Sequence, residues 1–164
     1  MLVLQIDNNP AMQKLLPKML SKHNIAHIPV QNPRDALAYL SNPHNLRPNI
    51  IFLKMQIPVM SSQEFIHVLR TKPPFANDPL LRATPVIGMD SGYSFRPRRE
   101  KHINEWGVDD AIPRPMKAKA LQDVLLYWSR REVVPNQGPG DDVSIQPVWG
   151  PFPLRGYTGP RSLL

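Results

Sequence analysis

The chain has 164 residues, 41% of them hydrophobic, which is enough for one domain with a true core and a remainder. It has no cysteine, which excludes disulfides and thiolate metal centres, and no apolar run of about eighteen residues that would cross a membrane. Its formal charge of +7 is scattered over Lys14, Lys18, Lys22, Arg96, Arg98, Arg99, Lys101, Lys117, Lys119, Arg130 and Arg131; that dispersal reads as solvated helix faces ahead of a nucleic-acid surface.

Leu2, Val3, Leu4 and Ile6 predict a first strand, ending at Asp7-Asn8-Asn9-Pro10, where side-chain oxygens and a first-turn proline suit a helix start. Met12, Leu15, Leu16 and Leu20 then recur at helical spacing. A short strand over residues 25–30 follows, and Asn32-Pro33 opens a helix with Ala36, Leu37 and Leu40 on its buried face. Ile50, Ile51, Phe52 and Leu53 form an unbroken apolar run between Pro48 and Pro58. A run so short and so apolar predicts a strand covered on both faces, with Lys54 at its carboxyl end. Ser61 or Ser62 caps the next helix, which carries Phe65, Ile66 and Leu69 and stops at Pro73-Pro74. Residues 75–83 read as a loop, 85–89 as a fourth strand ending at Asp90, 96–106 as a basic segment with a short helix after Pro97, and 108–112 as a fifth strand before Arg114-Pro115. Ala118, Leu121, Val124, Leu125 and Trp128 define the last amphipathic helix. Five alternations of strand and helix imply a parallel sheet with helices on both faces. The expected domain covers residues 1–131.

Residues 132–164 change to proline, glycine and isolated aromatics without apolar periodicity. They are expected to be a disordered or loosely draped tail. Trp149, Phe152 and Tyr157 read as an untuned tail ahead of a short recognition segment. The five histidines, His23, His27, His44, His67 and His102, show no ligand-like clustering. Met55, Met60, Met89 and Met116 read as packing residues. The opening residues do not resemble a secretion signal, and a cytoplasmic or nuclear protein is expected.

In an open parallel sheet the ligand site lies past the carboxyl ends of the strands. Those ends present Asp7 and Asn8, Lys54, Asp90 and Arg114. At this point the sequence resembles the receiver domain of two-component response regulators, above all the receivers of fungal hybrid histidine kinases. The resemblance rests on Ile6-Asp7-Asn8-Asn9-Pro10, Ile57-Pro58-Val59-Met60, Asn77-Asp78-Pro79 with Ala83-Thr84-Pro85-Val86-Ile87, Arg99-Glu100-Lys101, Gly107-Val108-Asp109-Asp110, and Arg114-Pro115 with Lys117-Ala118-Lys119, in order over residues 1 to 131. It implies a (βα)5 flavodoxin-like, CheY-like three-layer sandwich around a five-stranded parallel sheet.

The resemblance also implies a phosphotransfer site: two acids after the first strand, a phosphoacceptor Asp after the third, Thr or Ser after the fourth and Lys after the fifth, with magnesium held by the carboxylates. This chain departs at most of those positions. Asp7 keeps the first acid, Asn8 replaces the second, and Lys54 stands at the phosphoacceptor position, where an amine cannot form an acyl phosphate. Asp90 takes the Thr/Ser position, Arg114 the Lys position and Ala111 that of the switch aromatic, and Ser61-Ser62 replaces the usual Asp-Gly. Lys54 is expected to replace the metal's charge by pairing with Asp7 and Asp90, with Arg114 pairing with Asp90. Magnesium binding is expected to be lost, with no cofactor and no enzymatic activity.

The leading expectation is a pseudo-receiver that acts by protein binding. Its partner surface would include Arg99, Lys101, Trp106, Lys117 and Lys119, and its partner would be a histidine kinase or a histidine-containing phosphotransfer protein. Phosphorelay through a non-standard residue, with Asp90 the best-placed carboxylate, is an alternative. So is a flavodoxin-like cofactor carrier, although Asp7-Asn8-Asn9-Pro10 lacks the free amides of a phosphate-cradling loop. Nucleic-acid binding through residues 96–101 is the third.

Overall fold

A computed structural model describes residues 1–91 and 103–129. The strands are β1 (Leu2–Ile6), β2 (Ala26–Val30), β3 (Ile50–Lys54), β4 (Val86–Ser91) and β5 (Asp110–Arg114). The helices are α1 (Pro10–Ser21), α2 (Pro33–Ser41), α3 (Ser62–Thr71), the short α4 (Pro79–Ala83), a helical turn α5 over residues 103–106, and α6 (Ala118–Ser129). All strand pairs are parallel, in the order β2-β1-β3-β4-β5.

Successive residues of β1, β3 and β4 point to opposite faces, and each face has its own core. Val3, Ile50, Phe52, Ile87 and Met89 pack with Leu16, Leu20, Leu121 and Val124 of α1 and α6. Leu4, Ile6, Ile51, Leu53 and Val86 pack with Leu40, Phe65, Leu69 and Leu81 of α2, α3 and α4. Three layers follow from that alternation. Each fully buried Leu, Ile or Phe contributes about 1.5–3 kcal/mol relative to exposure, so β3, with four such residues, is the spine of both cores. The methionines at the strand ends pack as expected: Met55, Met89 and Met116 are buried. Trp128 is buried and Trp106 half-buried against the α2/α3 core.

The capping chemistry sets where the helices begin. The Asn9 side-chain oxygen accepts from the Ala11 and Met12 amides at 2.9 and 3.3 Å, and Pro10 occupies the first turn. Asn32 caps α2 through the Asp35 amide and Ser61 caps α3 through the Glu64 amide.

Two predicted boundaries are corrected. Residues 75–83 are not a loop: Phe75–Asn77 form a 3-10 turn and Pro79–Ala83 a helix capped by Asp78, whose Oδ1 accepts from the Leu80 and Leu81 amides. The signal was the Asp-Pro pair, a cap followed by a first-turn proline, obscured by the loop-like residues before it. The fifth strand begins two residues later than predicted. Asp109 is held before the strand by its side chain, which accepts from the Val86 amide at 2.7 Å and from Arg70 at 2.8 Å. Arg114 is therefore the last residue of β5, in register with Ser91, rather than a loop residue beyond it. The expected tail with Trp149, Phe152 and Tyr157, and most of the basic segment 96–106, lie outside the described residues.

Candidate functional site

Strand register brings the predicted residues to one end of the sheet. Ile6 pairs with Leu53, so Asp7 and Lys54 leave adjacent strands side by side; Lys54 pairs with Met89, Asp90 with Pro113, and Ser91 with Arg114. Between these ends and the first turn of α1 lies an open cleft of about 570 Å³, lined by Asn9, Met12, Leu15, Lys54, Gln56, Asp90, Ser91, Arg114 and Pro115 among others.

Asp7 is fully buried. Its Oδ1 accepts from the Asn9 amide at 2.8 Å, and its backbone carbonyl accepts from the Gln13 side-chain amide at 2.6 Å. Among the described residues the other carboxylate oxygen makes no hydrogen bond and faces the Arg114 guanidinium at 3.5 Å. Lys54 donates from its ammonium to the Asn8 side-chain oxygen at 2.5 Å. Ser62, almost wholly buried, donates to the Met55 and Lys54 carbonyls at 2.6 and 3.2 Å and so fixes the turn by which the chain leaves β3.

The expected pairings are therefore rearranged. Arg114 pairs with Asp7 rather than with Asp90, and Lys54 takes Asn8 rather than a carboxylate; among the described residues it forms no ion pair. The reason lies in how the first loop is folded. Asn9 must cap α1, its amide claims Asp7 Oδ1, and the Asp7 side chain turns into the protein, leaving exposed Asn8 to meet the lysine. Asp90 is buried at the same strand end and lines the cleft.

Ala111 is buried opposite Gly88 in the register of β4 and β5. A β-carbon on Gly88 would lie 2.7 Å from the Met55 sulfur and 3.5 Å from Val108, so the thioether fills the space over Gly88. Of the predicted partner surface, Trp106 is half-buried, Lys117 is exposed, and Lys119 is exposed and bonded to Asp123 at 3.2 Å, while Arg99 and Lys101 lie outside the described residues.

Sequence reading missed several residues of this site. Gln13 was hidden because its helical position gives no reason to reach back to Asp7; Leu15, 40% exposed at the cleft, was read only as part of the apolar stripe of α1. Val59, in the turn after β3, adopts φ of +79°, which a β-branched residue rarely accepts.

No family model and no curated protein matches the chain. Solved structures do. The receiver domain of a signal transduction histidine kinase from Syntrophus aciditrophicus matches with a TM-score of 0.63 and 24% identity, over 84% of this chain and 98% of that one. The receiver domain of a sensor histidine kinase from Pseudomonas aeruginosa, solved with magnesium in its active-site cleft, matches with a TM-score of 0.62 and 19% identity, over 77% and 95%. The chemotaxis response regulator CheY4 of Vibrio cholerae gives 0.63 and 18%, over 77% and 97%. Together with the strand order and the cleft, these likenesses establish that the chain has the fold of the CheY-like receiver domains.

Proposed function

We propose that the protein is a pseudo-receiver, a signalling domain of the two-component type that does not take a phosphoryl group and works by binding another protein. One observation carries this: the residue at the carboxyl end of β3 is Lys54, with its ammonium seated on Asn8. A phosphoacceptor there needs a carboxylate, and an amine at that point places positive charge where a metal would have to sit.

The donor set gives the same reading. Magnesium prefers near-octahedral oxygen coordination, usually through one or two carboxylates. Here the Asp7 carboxylate serves Asn9 and Arg114, the Asn8 oxygen is engaged by an ammonium, and the third position is itself cationic. On this reading the residues present do not fit magnesium.

The partner on this reading is a histidine kinase or a histidine-containing phosphotransfer protein, bound without exchange of phosphate. Lys117 is exposed on the loop that opens α6 and belongs to the candidate surface. The test is magnesium titration followed by beryllofluoride, read by amide NMR. Wild-type resonances of Asp7, Lys54, Asp90 and Arg114 are expected to stay in place at millimolar metal, and Lys54→Asp is expected to raise magnesium affinity. The triple change Asn8→Asp, Lys54→Asp, Asp90→Thr is expected to restore a beryllofluoride response. A metal-dependent response in the wild type would sink the proposal.

A further inference from the structure

We propose that the cleft at the strand ends is a metal-independent oxyanion site, with Lys54 and Arg114 as its two donors. The inference deepens the pseudo-receiver reading of the same cleft and rests on it in one respect only, that no metal competes for the space.

The fold leaves donors unfilled at this end of the sheet. The Arg114 side chain is only 10% exposed, yet its sole polar partner among the described residues is Asp7, at 3.5 Å and without a hydrogen bond. A guanidinium carries five N–H donors in a planar fork suited to carboxylate and phosphoryl oxygens. Lys54 carries three and spends one, on a neutral amide oxygen that compensates none of its charge. Both side chains line the same open cleft. The remaining N–H groups of both side chains open onto that cleft, and an oxyanion with two or three acceptor oxygens would engage both groups together.

The surroundings narrow the ligand. Ser91 and Gln56 add polar groups to the wall, while Met12, Leu15 and Pro115 give it an apolar side. The ligand class is therefore an oxyanion carried on a small organic body, of which a phosphorylated or carboxylate side chain of a protein and a free phosphate are two sources. Asp7 and Asp90 bring negative charge to the same strand ends. Attraction comes from the unfilled donors rather than from net charge, which points to affinity on the order of millimolar for a bare ion.

The experiment is an amide NMR titration of the full chain with inorganic phosphate at constant ionic strength, in the presence of EDTA. Saturable shifts are expected at Lys54, Ser91 and Arg114. Lys54→Met is expected to weaken binding at least tenfold, whereas Arg34→Gln, on an exposed turn of α2 outside the cleft, is expected to leave it unchanged. Shifts that never saturate, that chloride reproduces, or that survive Lys54→Met would overturn the site. A phosphoserine peptide that binds more tightly than phosphate assigns the ligand to a protein partner, and equal affinity assigns it to the free ion; both outcomes support the site. The two readings fail separately: a beryllofluoride response that needs magnesium removes the pseudo-receiver, and absence of a metal-free phosphate response removes the oxyanion site.

Discussion

The two ends of the sheet treat their arginines in opposite ways. At the amino ends of the strands Arg70 makes four hydrogen bonds, to the Leu81, Arg82 and Thr84 carbonyls and to the Asp109 carboxylate at 2.8 Å. Arg47 nearby donates to Asp78 at 2.8 Å and to the Leu40 and Asn42 carbonyls. Thr84 closes the same region by donating to the Pro48 and Leu80 carbonyls. At the carboxyl ends Arg114, more buried than Arg70, has one ion pair at 3.5 Å among the described residues, and Lys54 has one amide there. One end uses its cations to complete the fold, and the other keeps donors in reserve. A charge whose donors are filled is a structural clamp; a buried charge whose donors are unfilled is a place for a ligand.

At the amino ends of the strands the largest effect is expected from breaking the clamp. Arg70→Met removes four hydrogen bonds, among them the charged one to the Asp109 carboxylate, which also holds the Val86 amide. At about 0.5–1.5 kcal/mol per hydrogen bond, and more for the charged one, the loss is about 3 kcal/mol once discounted for the 24% exposure of the side chain. Thermal unfolding measures it. A loss below about 0.5 kcal/mol would show that this end is no better tied than the other.

Next in size is Gly88→Ala, at the contact of β4 with Met55. The added β-carbon would meet the Met55 sulfur at 2.7 Å in a buried layer, so the thioether of the residue that follows β3 must move. A cost of about 1–2 kcal/mol is expected, accompanied by amide shifts from Met55 to Ser62. Shifts confined to β4 would show that the packing beneath the cleft is insulated from its rim.

Backbone conformation repeats the contrast. Asn24, in the turn from α1 to β2 at the amino ends, has φ of +54°, and asparagine tolerates that region. Val59, at the carboxyl ends, has φ of +79° and is 58% exposed, so little packing repays its strain. Val59→Asn is expected to stabilise the domain by about 1 kcal/mol. The equivalent exchange Asn24→Val should destabilise by a similar amount, and equal melting temperatures for the two variants would erase the distinction.

Much of this fold was legible in the sequence because its signals are local. The unbroken apolar run of β3, the Asn9-Pro10 and Asn32-Pro33 starts, and the spacing of Leu121, Val124, Leu125 and Trp128 need no knowledge of neighbours, and each lies where periodicity and capping put it. The site was legible as a set of positions, since strand ends converge in any parallel sheet. Its pairings were not. Whether Lys54 meets Asp7 or Asn8 depends on Asn9 capping α1 and turning the Asp7 carboxylate inward, a competition between a helix cap and an ion pair that spacing does not resolve. The clamp at the other end was invisible for a similar reason: Arg70 and Asp109 are 39 residues apart, and neither breaks a pattern.

The smallest stability effect is expected where the ligand argument needs the largest functional one. Lys54 is partly exposed, donates once to an exposed amide, and leaves no buried charge behind when removed. Lys54→Met should therefore change stability by no more than about 0.5 kcal/mol, while removing one of the cleft's two cations. Arg114→Met should behave otherwise, because it strands the fully buried Asp7 carboxylate, and breaking a buried pair in this way costs about 3–5 kcal/mol where the partners are closely bonded. At 3.5 Å without a hydrogen bond, the lower end of that range applies. If Lys54→Met proved as destabilising as Arg114→Met, the lysine would be a structural clamp like Arg70, and the carboxyl end of the sheet would lose its claim to hold donors in reserve.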